Sequence, residues 1–489
     1  MGAFICQISE RDWLVSRELG IYGNRINKPE SREELRNQDR LSVIRDLIGI
    51  REGDLVFFHV VRSADQSTIR GIYEARSKAF FDSTKIWDDP YDTFPHRFLF
   101  KPHEEFKDLC LSDSYINVSE FYAKIEQKKI WSQATLENER NIEKRAVRKI
   151  SNEDAGEIIK LLLRDFSAES KQKYKVRLIE ISKVAKDLRL CIDSIGSIEN
   201  AIKALLMYEL REKTKFVENV FGDVTDFMNE VFVAQTTRKL FDILVINNKL
   251  KGRNYFIIEA KTDQFRPDNL SQLLSYIDLF RQKELFSIEN DNIIGCILSK
   301  RIHDNVINFV SLYNQLGVFD RVIMLTYNPK DSGRNAEFKI KGNLEQASFE
   351  LLPKASVSKL DIKGIEITEK NILSLPIFRI LPNITRSIFN KVEEKNIFVL
   401  QEDQLKRDSL KEKFGYIYLQ IFEEKLDWEK FQVFMRGLKE FVENFGEGDY
   451  METCPIIIAL GFETQILSFI NFYNIYQRRK AIKLFITNL

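Results

Sequence analysis

Asp242, Glu259 and Lys261 have the types and spacing for chemistry at a phosphate. They stand in two apolar runs, FDILVI (241–246) and YFIIEAK (255–261). Both runs are short and rich in β-branched and aromatic residues, so they read as strands. Residues i and i+2 of a strand share a face, so Glu259 and Lys261 project together. The polar stretch NNKLKGRN (247–254), with Gly252, is a natural turn between the runs. A hairpin centred between Leu250 and Lys251 sets Asp242 directly opposite Glu259; a slip of one residue would part them. Facing carboxylates destabilise a sheet unless a positive charge lies between them. A divalent cation meets that need, and a site of few carboxylates with room for water suits Mg2+, or Mn2+. Such an ion polarises a phosphate oxygen and acidifies a bound water. The lysine then orients that water or offsets charge in the transition state. The plainer alternative is a solvent-facing ion pair at a strand end, worth little to stability.

The flanking elements must position these residues. SIENAIKALLMYELREK (197–213) reads as an amphipathic helix. Strands are expected at 230–234, 240–246 and 255–261, then a helix over 268–282 and a strand at 292–298. A helix at about 303–315 and a strand at 321–327 complete the series. The order αβββαβ implies an α/β layout on a mixed sheet.

Asp242, then Glu259-Ala260-Lys261, then Gln272 and Tyr276 on the next helix resemble the PD-(D/E)xK nuclease superfamily, over roughly residues 195–330. The resemblance implies a restriction-endonuclease-like core in which Asp242 and Glu259 hold the metal and Lys261 positions the attacking water. It also implies a supporting Glu on the first core helix, Glu199 or alternatively Glu209, with support from Gln272 and Tyr276. Phe241, rather than Pro, precedes the first acidic residue.

Upstream, the sequence is β-rich. AFICQI, GDLVFFHVV (53–61), STIRGIYEA (67–75) and HRFLFKP (96–102) read as strands, the middle two as a hairpin. NVSEFYAKI and ISNEDAGEIIKLLLRDF read as helices, the second capped at Ser151 and Asp154. The charged SKQKYKVRLIEISKVAKDLRL reads as a connecting helix or linker. In this order the segments of about 1–165 resemble PUA-like modules of the EVE and YTH kind. Those are small β-barrels that receive a flipped modified base in an aromatic cage. The resemblance implies Tyr22 (in GIYG) and Trp87 as cage walls, Tyr91 or Phe81 as a third, and Asn24 as a reader of the base edge. Stacking of this sort contributes roughly 1–3 kcal/mol per base.

The expected division is therefore an N-terminal PUA-like domain (1–167), a helical linker (168–195), a nuclease domain (196–330) and a C-terminal α/β region (331–489). The tail repeats a strand–helix–strand pattern. IIIALGFETQILSFINFYNIYQRRKAIKLFI has the layout of IIGCILSKRIHDNVINFVSLYNQLGVFDRVIML. A degenerate duplication accounts for this; two unrelated βαβ units account for it as well and are the favoured reading.

Bulk properties narrow the classes. The 489 residues carry a net charge of +1, so any nucleic-acid surface must be local. Five cysteines without a CxxC pair argue against a zinc site or a disulfide framework and fit a reducing cytoplasm. Four histidines make a histidine-based metal centre a poor fit. No apolar run is long enough to span a membrane, and no P-loop GxxxxGK[ST] occurs. The expectation is a modification-dependent endonuclease that cuts double-stranded DNA near a modified cytosine, acting as a homodimer. The C-terminal region would serve dimerisation or DNA contact. The alternatives are a sequence- or structure-specific nuclease indifferent to modification, and a non-catalytic nucleic-acid-binding protein on a decayed nuclease fold.

Overall fold

The computed structural model describes residues 2–27, 35–61, 67–90, 92–132, 146–164, 166, 173–232, 239–249, 252–281, 291–316, 320–342, 388–391, 397–401, 415–445, 452–476 and 485–488. It is a mixed α/β protein of two compact units. The first comprises Met1–Phe265, Tyr276–Ile302 and Ile323–Gly342; the second comprises Arg266–Ser275, His303–Val322 and Asn343–Leu489.

The first unit contains two sheets. The N-terminal sheet is built from β1 (Ala3–Ser9), β2 (Ile21–Asn24), β3 (Leu55–Val61), β4 (Thr68–Ala75), β5 (Phe80–Phe81), β6 (His96–Pro102), β7 (Tyr115–Asn117), β8 (Val147–Ile150) and β9 (Lys186–Asp187). Its main path runs β8-β1-β3-β4-β6-β5-β9, with β2 on β6 and β7 on β4. The expected hairpin is the antiparallel pair β3–β4. Its helices are α1 (Glu10–Leu19), α2 (Asn37–Ile48), α3 (Lys107–Leu111), α4 (Val118–Glu126) and α5 (Asn152–Arg164). Ser9 caps α1 by accepting from the Asp12 N–H, and Gly20 ends it at φ 65. Ser151 Oγ accepts the Asp154 N–H at 3.1 Å, so one orphan donor of α5 is satisfied as the sequence implies.

The segment expected as a connecting helix or linker is not helical where it is described. Residues 173–182 run without helix, and the chain reaches β9 and a 3-10 turn at Leu188–Cys191. Its backbone donors find acceptors elsewhere: Tyr174 N–H on Leu111 O, Arg177 N–H on Glu18 O, and Ile179 N–H on Leu19 O. Those bonds hold the segment as a strap across the ends of α1 and α3, replacing the intrahelical bonds its charge pattern suggested.

The central sheet has the order β10-β11-β12-β13-β14-β15. It comprises β10 (Val224–Phe232), β11 (Leu240–Asn248), β12 (Arg253–Phe265), β13 (Asn292–Ile302), β14 (Val322–Lys330) and β15 (Asn335–Ile340). The helices along this stretch of chain are α6 (Glu199–Glu212), α7 (Lys215–Phe221), α8 (Pro267–Arg281) and α9 (Asp304–Leu316); α9 and the start of α8 fall in the second unit. β10 begins well before the expected 230–234. Asp226 and Asn229 interrupt its apolar pattern, yet both are buried with partners: Lys149 Nζ lies 2.8 Å from Asp226, and Asn229 donates to Asp46 at 2.6 Å. One apolar core runs through both sheets, from Ala3 and Phe58 through Ile44 and Leu205 to Ile258 and Leu325.

The second unit holds a sheet of order β16-β17-β18-β19-β20. The strands are β16 (Ile388–Lys391), β17 (Ile397–Gln401), β18 (Gly415–Leu426), β19 (Glu452–Phe462) and β20 (Phe485–Asn488), with α10 (Trp428–Phe445) and α11 (Thr464–Tyr476). Phe431, Phe434, Met435, Phe469 and Tyr473 fill its core.

This sheet repeats β10–β14. In both, the first two pairs are antiparallel and the third is parallel, with one helix between the third and fourth strands and one between the fourth and fifth. Both carry a ladder irregularity at the same place, between Lys261 and Gln264 on β12 and between Phe422 and Lys425 on β18. Coinciding strand order, sense and irregularity favour duplication over two unrelated βαβ units. Among the described residues, no helix is long and apolar enough to cross a membrane.

Candidate active site

The ladder between β11 and β12 runs from Ile243 opposite Ile258 to Asn248 opposite Arg253. Asp242 and Glu259 are the next positions, so the register is the one read from the sequence. Gly252, at φ 83, supplies the left-handed residue of the turn. On the other side of β11, Asn229 faces Ile243 and Val231 faces Phe241, which sets Glu230 level with Asp242. Glu230, Asp242 and Glu259 therefore stand in a row across three adjacent strands.

Two lysines serve this row. Lys261 Nζ lies 2.8 Å from Glu259 Oε1 and 3.4 Å from Glu199 Oε2. Lys203, one helical turn beyond Glu199 on α6, lies 2.8 Å from Glu199 Oε1 and 3.4 Å from Glu230 Oε1, and pairs with Asp242 Oδ1. The other Asp242 oxygen accepts the Ala260 N–H at 2.7 Å, which fixes the carboxylate against the neighbouring strand. The helix acid beside Lys261 is thus Glu199; Glu209, the alternative, lies further along α6 and is half-buried.

Burial dominates the electrostatics. Glu259 is only 3% exposed, and burial, then Asp242, push its carboxyl up to about 8. Asp242 is also raised by burial; Lys203 pulls it back without cancelling the effect. Burial alone would lower Lys261, but Glu259, Asp242 and Glu199 outweigh it and hold it as the ammonium. Glu199 is lowered: burial opposes ionisation, but Lys203 and Lys261 prevail.

Among the described residues, no group of three or more acidic, His or Cys side chains is gathered around a point that could hold a metal ion. Mg2+ does not require one, since it is commonly held by one or two carboxylates together with water and substrate phosphate. Asp242 and Glu259 fit that role. Both are oxygen donors whose pKa values burial raises, so their ionised forms gain from a nearby cation.

Tyr276 is buried, with its ring 6.4 Å from that of Phe241. It packs next to the strand that carries Asp242 and thereby helps to fix it. Gln272, on the same helix, is exposed.

The proposed base cage is not assembled from the expected aromatics. Tyr22 is fully buried, packed on Phe58 and Phe98, and its hydroxyl lies within hydrogen-bond distance of Gln7 O, Ala146 O and Asn24 Oδ1. Trp87 is buried in a different cluster against Phe94, with its Nε1 donating to Ser16 Oγ at 3.1 Å. Both rings thus serve as core, their faces covered by side chains. Asn24 is buried at Tyr22, and Phe81 is half-buried against His96. Tyr91 lies outside the described residues.

Lys203, Glu230 and Arg45 were not legible as site residues. The one signal was Lys203 itself, a lysine inside the apolar AIKALLM of α6, which requires a buried partner. Close by in sequence lies a cleft of about 810 Å³. Its lining includes Ser197, two residues before Glu199, and Lys300, which follows the Ser299 paired with Lys261. Arg334 adds a second cation.

No family model matches the chain, and no curated protein matches it significantly. Among solved structures, protein Atu2648 from Agrobacterium tumefaciens is 13% identical, with a TM-score of 0.22 over 36% of this chain and 100% of its own. Rpa0253 from Rhodopseudomonas palustris is 13% identical, with a TM-score of 0.21 over 35% of this chain and 99% of its own. Likenesses at that score carry no argument about fold or function.

Proposed function

We propose that the chain is a Mg2+-dependent endonuclease of double-stranded DNA, with a restriction-endonuclease-like central domain and a PUA-like N-terminal domain that selects a modified cytosine. One observation carries the catalytic part: Asp242, Glu259, Lys261 and Glu199 converge from two adjacent strands and the first core helix. When bound, the ion supplies Lewis-acid polarisation of the phosphate and a more acidic water. Asp242 and Glu259 would hold it. Lys261 stays protonated, so it serves as a donor that orients the water and offsets phosphate charge rather than as a base. Lys300 and Arg334 line the cleft where a DNA backbone would run. The selective part rests on the sequence resemblance of the first 165 residues, and its base-contacting residues are other than the enclosed rings of Tyr22 and Trp87. The described residues of one chain offer one such centre, so scission of both strands calls for a homodimer.

Incubating plasmid with and without 5-methylcytosine in the presence of Mg2+ tests this reading. Cutting confined to the modified plasmid is expected. Equal cutting of both would remove the modification dependence, and cutting of neither, with other modified cytosines also inert, would remove the nuclease.

A further inference from the structure

Lys203 is an unusual component for a site of this kind. It is 5% exposed, and its ammonium contacts Glu199, Glu230 and Asp242 together. Glu230 is held in turn by Arg45 of α2, 2.7 Å away. Arg45 is 1% exposed and also bonds Asn200 on α6, Ser42 and Asp46. Asn229, beside Glu230, donates to Asp46. The backbone at Glu230 has φ 51, a left-handed conformation that a non-glycine residue adopts at a cost. Two cations, one from the N-terminal sheet's own helix, hold its carboxylate in place despite that cost.

The charges can be counted. With every group in its ionised form, as a bound cation would favour, Asp46, Glu199, Glu230, Asp242 and Glu259 bring five negative charges among the described groups, and Arg45, Lys203 and Lys261 bring three positive ones. Two negative charges remain, the complement of a single divalent cation. Carboxylates gathered without Lys203 would favour a second ion, as in two-metal sites.

Resting on the nuclease reading above, we propose that Lys203 is a built-in cation that fills the position between Glu199, Glu230 and Asp242. It limits the centre to one divalent ion, held at Asp242 and Glu259. Lys203 is a positioning residue: it keeps the carboxylates converged and excludes a second metal. Arg45 fixes it through Glu230, so α2 of the N-terminal sheet helps to build the catalytic centre.

Mn2+ titration of the full chain, followed by calorimetry and by the electron paramagnetic resonance of free Mn2+, tests this directly. Wild type should bind one Mn2+, lost in Glu259→Gln. Lys203→Met, of similar length without charge, should bind a second Mn2+ or bind the first at least about tenfold more tightly. Lys203→Arg should keep the wild-type count. If Lys203→Met does not melt cooperatively, Lys203→Gln, polar and uncharged, reads the same difference. Unchanged stoichiometry and affinity in the uncharged variant would overturn the inference while leaving the nuclease reading intact. A wild type that binds no Mn2+ and cuts no DNA would instead overturn the nuclease reading.

Discussion

Glu259 is a carboxyl placed where a carboxylate is costly. Burial and Asp242 raise it from an ordinary 4.5 to about 8. A raised carboxyl holds its proton more tightly in the folded state than in the unfolded one. In metal-free buffer its contribution to stability is therefore whole below pH 4.5 and is lost as the pH rises through about 8. Glu259→Gln keeps the side chain's size and cannot ionise. Its Tm relative to wild type should climb steadily between about pH 5 and about pH 8 in chelator. An offset that does not change with pH would contradict this assignment. At this scale the sequence was partly legible. The pairing of Asp242 with Glu259 followed from strand period and turn position, both local properties. Glu230 and Lys203 did not, because their roles depend on a left-handed backbone at one and on docking of a distant helix at the other. The resemblance implied Tyr22 and Trp87 as cage walls, and the sequence could not correct it, because an aromatic on a strand (Tyr22) or in a loop (Trp87) looks the same whether it faces a core or a rim.

Among the elements, α6 matters most to the site. It delivers Glu199 and Lys203 on successive turns of one face, while Leu205, Leu206 and Leu210 are buried in the core. Leu205→Ala should cost about 2–5 kcal/mol of stability. It should also lower activity beyond what the unfolded fraction accounts for, because a loosened helix carries its two charged residues away from β11 and β12. Denaturant melts alongside activity measured under fully folded conditions separate the two effects. A stability loss with full activity would show that α6 packing and site geometry are independent. Most of these elements were legible from apolar periodicity: β11, β12, β13 and β14 fall where expected within a few residues. β10 was partly hidden because buried Asp226 and Asn229 break its pattern, and the 173–182 strap could be read as helix or linker because Lys and Arg suit an exposed strap as well as a helix.

Across the whole chain, the β10–β14 arrangement occurs twice. Aligning the two ladders at their shared irregularity sets Gln420 where Glu259 stands and Phe422 where Lys261 stands. At those two positions the second sheet therefore lacks the acid and the lysine, so among the described residues the proposed centre belongs to the first sheet. In the sequence only the last strand–helix–strand stretch betrayed the repeat, because topology is retained after the residues that once marked it have changed. A single substitution at the first sheet should accordingly remove all cutting. The direct measurement is cleavage of modified duplex with Mg2+ by wild type, Glu259→Gln and Lys261→Ala, alongside DNA binding by each. Wild type should cut, and both variants should bind DNA comparably while cutting at least about a hundredfold more slowly. Cleavage that survives in either variant would place the chemistry elsewhere and contradict the account.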